Sequence, residues 1–551
     1  MGAFADQALQ ASYDYIVIGA GAAGAVIASR LSEDPSVSIC LLESGPSDWN
    51  PYIHVPVGFV KTIFNPKLAW QFASEPNALT NGRAIPLPQG RVLGGSTSIN
   101  GLVYNRGLAS DYDGWAALGN PGWSYAEVLP YFKRTERMLG RSPSTYHGRA
   151  GEIAVSDLGW IHPVCEAFME GAQERGLPRN PDYNGASQAG VGYFQRFIDK
   201  GRRVSTSTAL LRPARVCSNL HVLTHAHASE ILFSANKAVA VGYRRGGTGP
   251  EQVIGARREI IVSAGAINTP KLLQLSGIGN GAHLQGLGIP VQQHLAGVGE
   301  NLRDHYSIRI VAKARNVQTL NELSKGLPLA HQIVQWLRGK PSMMAVSPSL
   351  VHIFWKTLAG LSEPDVQGVF SPASYKAGYV GVLDDYPGMT CGFWAHRPES
   401  TGHVRIQSRE AMAAPVVQPN YLQTEGDRAI LIRSVKLARQ LFASSALSRF
   451  YDAETLPGSQ VQGDDELLDF IRRYGVSSYH LNGTARMGPS GETSAVVDAQ
   501  LRVHGLQGLR VADSSVMPMI PSANICAASI MIGERAADLV RGKPALAAAA
   551  V

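Results

Sequence analysis

The apolar pattern of the chain is interrupted at intervals by glycine-rich turns. Tyr13–Ile18 is a short, mostly apolar run and predicts a buried strand rather than a helix. The turn Gly19-Ala20-Gly21-Ala22-Ala23-Gly24 follows at once, and Ala25–Leu31 is apolar and compatible with a helix. Val37–Leu42 predicts a second buried strand, ending at the acid Glu43. Far downstream, Glu259–Val262 again reads as a strand. Thr269 is placed to cap a helix that has Pro270 at its first position. Leu329, Ile333, Trp336 and Leu337 share one helical face, with Lys325, Arg338 and Lys340 around it.

The order strand, glycine turn, helix, strand, acid predicts a dinucleotide site. One glycine serves the tight turn, one the close approach of backbone to a pyrophosphate, and one the packing of helix on strand. The helix N-terminus then faces the phosphates. Glu43 stands 19 residues after Gly24, where a carboxylate can bind both ribose hydroxyls. This unit by itself does not choose between FAD and NAD.

Composition narrows the picture. The chain has 551 residues, enough for two structural units around a large core. It is 45% hydrophobic and 17% charged, which argues against a disordered chain. Its 58 glycines suit many tight turns and close approaches to a large cofactor. The net charge of +7 is spread thinly, with no basic block or reading motif, so no nucleic-acid partner is expected. The odd set Cys40, Cys165, Cys217, Cys391 and Cys526 has no metal-like or CxxC spacing and predicts reduced thiols. Residues 1–12 lack the basic and apolar regions of a leader, and no apolar run reaches the roughly 18 residues of a spanning helix. A cytoplasmic protein is expected. The basic, apolar face near Leu329 fits either an ordinary domain helix or channel lid, or contact with an anionic membrane surface on the cytoplasmic side.

Four further segments carry chemistry. The first runs Gly90-Arg91-Val92-Leu93-Gly94-Gly95-Ser96-Thr97-Ser98-Ile99-Asn100-Gly101, then Leu102-Val103-Tyr104. The second runs from Ser263-Ala264-Gly265 to Gly279, and the third is Val298-Gly299-Glu300-Asn301-Leu302-Arg303-Asp304-His305. The fourth comprises Tyr479-His480-Leu481-Asn482-Gly483, Leu509–Pro518 and Asn524–Asp538. Together with the first glycine turn, and in this order, they resemble the glucose–methanol–choline (GMC) oxidoreductases, in the branch similar to choline and alkanol dehydrogenases. The resemblance runs from Tyr13 to about Leu539.

The resemblance implies an α/β fold, α+β overall, with a Rossmann-like FAD domain and a substrate domain holding a large antiparallel sheet flanked by helices. The FAD domain maps to 1–155, 205–310 and 470–551, and the substrate domain to 156–204 and 311–469. FAD contacts are implied at Gly19, Gly21, Ala22, Ala23, Gly24, Glu43, Ser44, Trp70, Arg91 and Leu93. Others fall on Gly95, Ser96, Asn100, Gly101, Leu102, Val103, Ala228, Ala264, Gly265, Tyr479, Ala512, Asp513, Asn524 and Ile525. Ile99 stands where some relatives carry a histidine joined to FAD, so the flavin is expected to be non-covalent. Ser478 is expected beside the flavin. The implied catalytic pair is His480 and Asn524. A neutral imidazole can take the hydroxyl proton while hydride moves from the alcohol carbon to the flavin. Asn524 can hold the substrate oxygen.

The expected reaction converts an alcohol to an aldehyde, with an uncharged primary alcohol as substrate and a quinone-type electron acceptor. The alternatives are an oxidase using oxygen and releasing hydrogen peroxide, a flavin-containing lyase or light-driven decarboxylase, and a flavoprotein that only binds. His54, His162, His294, His305, His396, His403 and His504 show no paired ligand spacing, so no metal site is expected. No GxSxG elbow accompanies Ser96, Thr97 and Ser98.

Overall fold

The computed structural model describes residues 11–377 and 381–551; residues 1–10 of the expected FAD domain, and most of the stretch read for a leader, lie outside the described residues. A parallel sheet forms the first core. Its strands lie in the order Leu220–Leu223, Ile39–Leu42, Ser12–Ile18, Glu251–Val262 and Leu509–Val511. Ile16, Val17, Ile39, Leu41, Ile260 and Ile261 are fully buried, as expected of strands covered on both faces. The helix Ala22–Leu31 packs on the C-terminal helix Cys526–Val540. Their approach is so close that a Cβ on Gly533 would stand 2.7 Å from the Ala23 carbonyl oxygen.

The strand that was expected at Glu259–Val262 is longer, Glu251–Val262. Its first half opens on the exposed Glu251, Gln252 and Val253 and contains Gly255, so its apolar pattern is too broken to mark a strand. That half pairs antiparallel with Lys237–Arg245, which in turn pairs with Ala226–Ser234.

The second core is an antiparallel sheet. Its order is Tyr451–Leu456, Tyr306–Ala314, Gly388–Ala395, Val366–Ser371, Val351–Trp355 and Gly190–Tyr193. Val476–Ser477 also pairs with the start of Tyr306–Ala314. The sheet therefore draws on residues outside 156–204 and 311–469, because the strand carrying Tyr306 runs across one expected boundary and Val476 lies beyond the other. The helix Glu425–Phe442 packs on this sheet, and Phe168 of the helix Pro163–Glu174 stacks on Phe370 at 3.9 Å. The opposite face looks toward the parallel sheet across a cleft.

One helix start departs from expectation. The helix runs Gly265–Leu275, with Pro270 inside it rather than at its first position. Proline there deprives the Ala266 carbonyl of its usual partner. The Thr484 hydroxyl donates to that carbonyl at 2.7 Å instead. The N-terminal cap is supplied from outside: Asp513 Oδ2 accepts from Gly265 N at 2.8 Å and from Thr269 Oγ1 at 2.6 Å. Thr269 is thus part of a cap reaching across from another strand end, not a cap for Pro270.

Candidate active site

The cleft between the two sheets has a volume of about 380 Å3. At one end it is lined by Gly19, Gly21, Ala22, Ala23, Glu43, Ser44, Trp70, Ala228, Ala264 and Gly265. Along its length lie Gly95, Ser96, Asn100, Gly101, Leu102, Val103 and Asp513, and at the other end Tyr479, His480, Asn524 and Ile525. The structure thus gathers these residues, widely separated between Gly19 and Ile525, onto one surface. Ser478 and Ile99 line it too.

The geometry of the glycines fits a bound dinucleotide. A Cβ on Gly24 would fall 1.9 Å from the Gly19 carbonyl oxygen, and one on Gly19 (φ +100°) 2.4 Å from that of Ser263. Both are packing glycines. A Cβ on Gly21 would meet nothing within 4 Å. That space is open toward the cleft, and no side chain caps the helix that starts there, so its amides are available to a phosphate. Glu43 is buried, and burial pushes its carboxyl up to about 7. It accepts from Ala20 N at 3.0 Å and Gly45 N at 2.8 Å, which fixes its plane. The buried Oδ1 of Asn268, on the cleft wall, has no protein partner.

Four expected cofactor contacts lie behind the lining. Gly24 sits in the helix–strand contact just described. Ala512 is fully buried: its N–H donates to Val262 O at 2.8 Å and its carbonyl accepts from Ser263 Oγ at 2.8 Å. Leu93 is buried and its carbonyl accepts from Ser98 Oγ. Arg91 lies over the Trp70 ring at 4.4 Å, so it acts on the cleft through Trp70.

At the far end, His480 and Asn524 meet. Asn524 Nδ2 donates to His480 Nε2 at 3.0 Å, and Asn524 Oδ1 accepts from Gln367 Nε2 at 3.0 Å. Gln367 Oε1 accepts from Asn105 Nδ2 at 3.4 Å, and Asn105 Oδ1 accepts from Gly107 N at 3.1 Å. On the other side, His480 Nδ1 lies 2.9 Å from His305 Nδ1, and His305 Nε2 lies 2.8 Å from the His396 carbonyl oxygen. A carbonyl only accepts, so His305 carries its proton on Nε2 and offers a lone pair at Nδ1. His480 must then donate from Nδ1, which leaves Nε2 as its lone-pair nitrogen. Burial holds His305 down to about 4. Burial, reinforced by the neighbouring His305, holds His480 well below the usual imidazole range. Both rings are therefore neutral near pH 7.

The loop is fixed from beneath. Asp304 Oδ1 accepts from His480 N at 2.7 Å and His305 N at 2.9 Å, while Oδ2 accepts from Ser477 Oγ and Tyr421 OH. Burial raises this carboxyl to about 6 despite those donors. Tyr479 adopts a left-handed backbone (φ 64°), an uncommon state for a bulky residue, and Ser477 Oγ accepts its N–H at 2.8 Å. Trp394 packs edge-on against His480 at 6.0 Å.

Sequence reasoning quoted Asp304 and His305 without a role, and did not single out Gln367 or Trp394. The available signal was the position of Asp304-His305 at the end of a glycine-rich segment. Gln367 and Trp394 lie in strands whose register alone brings them here. Among the described residues no cluster of side chains could hold a metal ion, and the five cysteines are free.

Residues 13–307 match the N-terminal and residues 398–533 the C-terminal GMC oxidoreductase domain. Human mitochondrial choline dehydrogenase is 39% identical over 97% of this chain and 90% of its own length. The oxygen-dependent choline dehydrogenase of Rhizobium johnstonii is 38% identical over 97% and 96%. Pyridoxine 4-oxidase from Mesorbium loti superposes with a TM-score of 0.87 at 28% identity, over 97% of this chain and all of the other. The chain belongs to the GMC oxidoreductase family and is an FAD-dependent oxidoreductase acting on CH–OH donors.

Proposed function

We propose that the enzyme oxidises an alcohol to an aldehyde with His480 Nε2 as the base and Asn524 as the group that holds the substrate oxygen. The observation that carries this reading is the one-way hydrogen-bond chain from Gly107 N to the His396 carbonyl, which leaves His480 Nε2 with its lone pair toward Asn524. An alcohol entering between them receives a hydrogen bond from Asn524 Nδ2 and donates its own proton to His480 Nε2. FAD, when bound, supplies the two-electron acceptor for the hydride from the carbinol carbon. Gly19, Gly21, Ala22, Ala23, Gly95 and Ser96 would hold its phosphates, and Glu43 its ribose. We assign most of 1–155, 205–310 and 470–551 to cofactor binding and 156–204 and 311–469 to the substrate side, with Tyr306–Ile310 and Val476–Ser477 joining the substrate sheet. Ile99, buried on the cleft wall, has no atom that could bond to the flavin, so the attachment is non-covalent.

The electron acceptor we propose is a quinone-type carrier at a membrane surface. The helix Gly326–Leu337 has no buried residue, and Leu327 is 86% and Leu337 69% exposed. Half-buried Trp336 fastens the helix, donating from Nε1 to the Gly201 carbonyl at 2.7 Å. The apolar residues left outward, with Lys325, Arg338 and Lys340 beside them, suit an anionic lipid surface on the cytoplasmic side. Among the described residues no helix is long and apolar enough to cross a membrane.

The test is anaerobic flavin bleaching by a panel of alcohols. His480→Ala should keep its flavin and slow bleaching by roughly 10²–10⁴-fold. Near-normal bleaching in that variant would refute the assignment. Rapid reoxidation in air with peroxide release would replace the quinone by oxygen.

A further inference from the structure

The relatives named for choline act on a cationic alcohol, and a site for a quaternary ammonium needs acidic or aromatic walls free of competing cations. The substrate end of this cleft has aromatic walls, Tyr375, Trp394 and Tyr479, but a guanidinium, Arg309, stands among them. Three strands of the antiparallel sheet present Ser307 and Arg309, Thr390, Gly392 and Trp394, and Val369 and Ser371 to it. In the register, Gly392 lies between Arg309 and Val369, and Trp394 lies opposite Gln367, the residue bonded to Asn524. A Cβ on Gly392 would stand 3.2 Å from Val369 and 3.7 Å from the Arg309 side chain. A side chain there would crowd Val369 and the stem of Arg309, so glycine keeps this part of the floor low.

Arg309 lies over the Tyr375 ring at 5.9 Å, and its charge acts on both Tyr375 and Tyr479, which also line the cleft. Along a strand, two residues span about 7 Å. Arg309 therefore stands one register step from Trp394, the ring packed on His480. The indole N–H of Trp394 is buried without a protein partner. Both groups are hydrogen-bond donors. Among the described residues, the only carboxylates lining the cleft are Glu43 and Asp513. Glu43 lies at the cofactor end, and Asp513 is engaged by Gly265 N, Thr269 Oγ1 and Ser515 N.

We infer that the substrate is an alcohol carrying an anionic group, such as a carboxylate, which Arg309 and the Trp394 N–H receive while the carbinol carbon lies at His480 and Asn524. This rests on the alcohol-oxidising reading above and changes its expected substrate from an uncharged alcohol, because the charge at the pocket is local whereas the sequence offers only a global balance.

Three alcohols of matched shape separate the charge from the rest. These are 4-(hydroxymethyl)benzoate, benzyl alcohol and 4-(hydroxymethyl)phenyltrimethylammonium, with choline as a fourth. Each is mixed anaerobically with the FAD-loaded enzyme, and the bleaching rate is followed against concentration. The benzoate should give a second-order constant at least tenfold above either ammonium alcohol, and the gap should narrow as salt is raised. Arg309→Gln should level the series, and Arg309→Glu should invert it, with benzyl alcohol changed least. An ammonium alcohol preferred by the unaltered enzyme overturns the inference. So does an Arg309→Glu variant that slows all four alike. Both outcomes leave the alcohol-oxidising reading standing. No bleaching by any alcohol, with dithionite still reducing the flavin, overturns that reading together with this one.

Discussion

His305 and His480 face each other through their Nδ1 atoms at 2.9 Å, and this contact decides which nitrogen of His480 is basic. The direction is set at both ends. The His396 carbonyl requires a proton on His305 Nε2, and the Gly107 amide requires an acceptor at Asn105 Oδ1. Each amide and ring between them then has one consistent orientation, and the two directions agree at His480 Nε2. His305 touches no substrate, so it is a positioning residue. His305→Ala removes the acceptor for His480 Nδ1–H, leaving a buried donor unpaired and the tautomer free. Flavin content should persist, while bleaching by alcohol falls by about 10–100-fold, a fraction of what the base itself contributes. His305→Asn, whose side-chain oxygen can accept, should recover part of the rate. Equal loss in both variants, with altered flavin content, would point to a merely structural role.

The pH dependence follows from burial. As the proposed base, His480 works in its neutral form, and its folded pKa lies well below 6.5 because burial and then the neighbouring His305 disfavour the cation. Lowering the pH through 6.5 should therefore leave the base unprotonated. With benzyl alcohol, which does not titrate here, the bleaching rate should stay level down to about pH 6 and decline only at lower pH. An apparent pKa at or above 6.5 in the second-order bleaching constant would contradict this placement of His480.

Much of the site was legible from the sequence because its cofactor end is made of contiguous backbone. The spacing of Gly19, Gly21 and Gly24 and the run around Gly95 survive without the fold, although the contacts they make, such as Gly19 with Ser263 and Gly95 with Gly21, do not. His480 and Asn524 were legible only through the resemblance. The partners that orient them were not, since His305 meets His480 across 175 residues and Gln367 meets Asn524 across 157. Those meetings depend on strand register, which alternation within one strand does not specify. Pro270 shows the same limit from the other side. The local rule placed it at a helix start, but Thr484, 218 residues from Ala266, supplies the donor that lets it sit inside.

Two glycines three residues apart should fail differently. Gly24→Ala drives a methyl into the Gly19 carbonyl, so the helix must part from the strand, and soluble yield and melting temperature should both drop. Gly21 has an ordinary φ of −79° and open space at its Cβ. Gly21→Val should leave the fold intact, with native-like circular dichroism, while the protein purifies without yellow colour. Full flavin content in Gly21→Val would mean that the pyrophosphate does not cross this turn.

The helix Gly326–Leu337 gives a prediction independent of catalysis. Leu327, Ile333, Val334 and Leu337 are exposed, while the helix is held to the body through Trp336, which bonds Gly201 and lies against Arg202 at 5.5 Å. If this face inserts into a lipid surface, each leucine contributes about 1.5–3 kcal/mol of apolar transfer, so Leu327→Glu with Leu337→Glu should weaken vesicle binding by at least ~100-fold. Sedimentation with anionic phospholipid vesicles measures this directly. The unaltered enzyme should pellet with the vesicles and less so as salt is raised, because Arg338 and Lys340 add an electrostatic attraction. The double variant should stay in the supernatant. Its flavin bleaching by alcohol in solution should be unchanged, since the helix supplies no residue to the cleft. Failure of the unaltered enzyme to sediment would remove the membrane contact, and with it the structural support for a quinone acceptor, while leaving the chemistry of His480 and Asn524 as it stands.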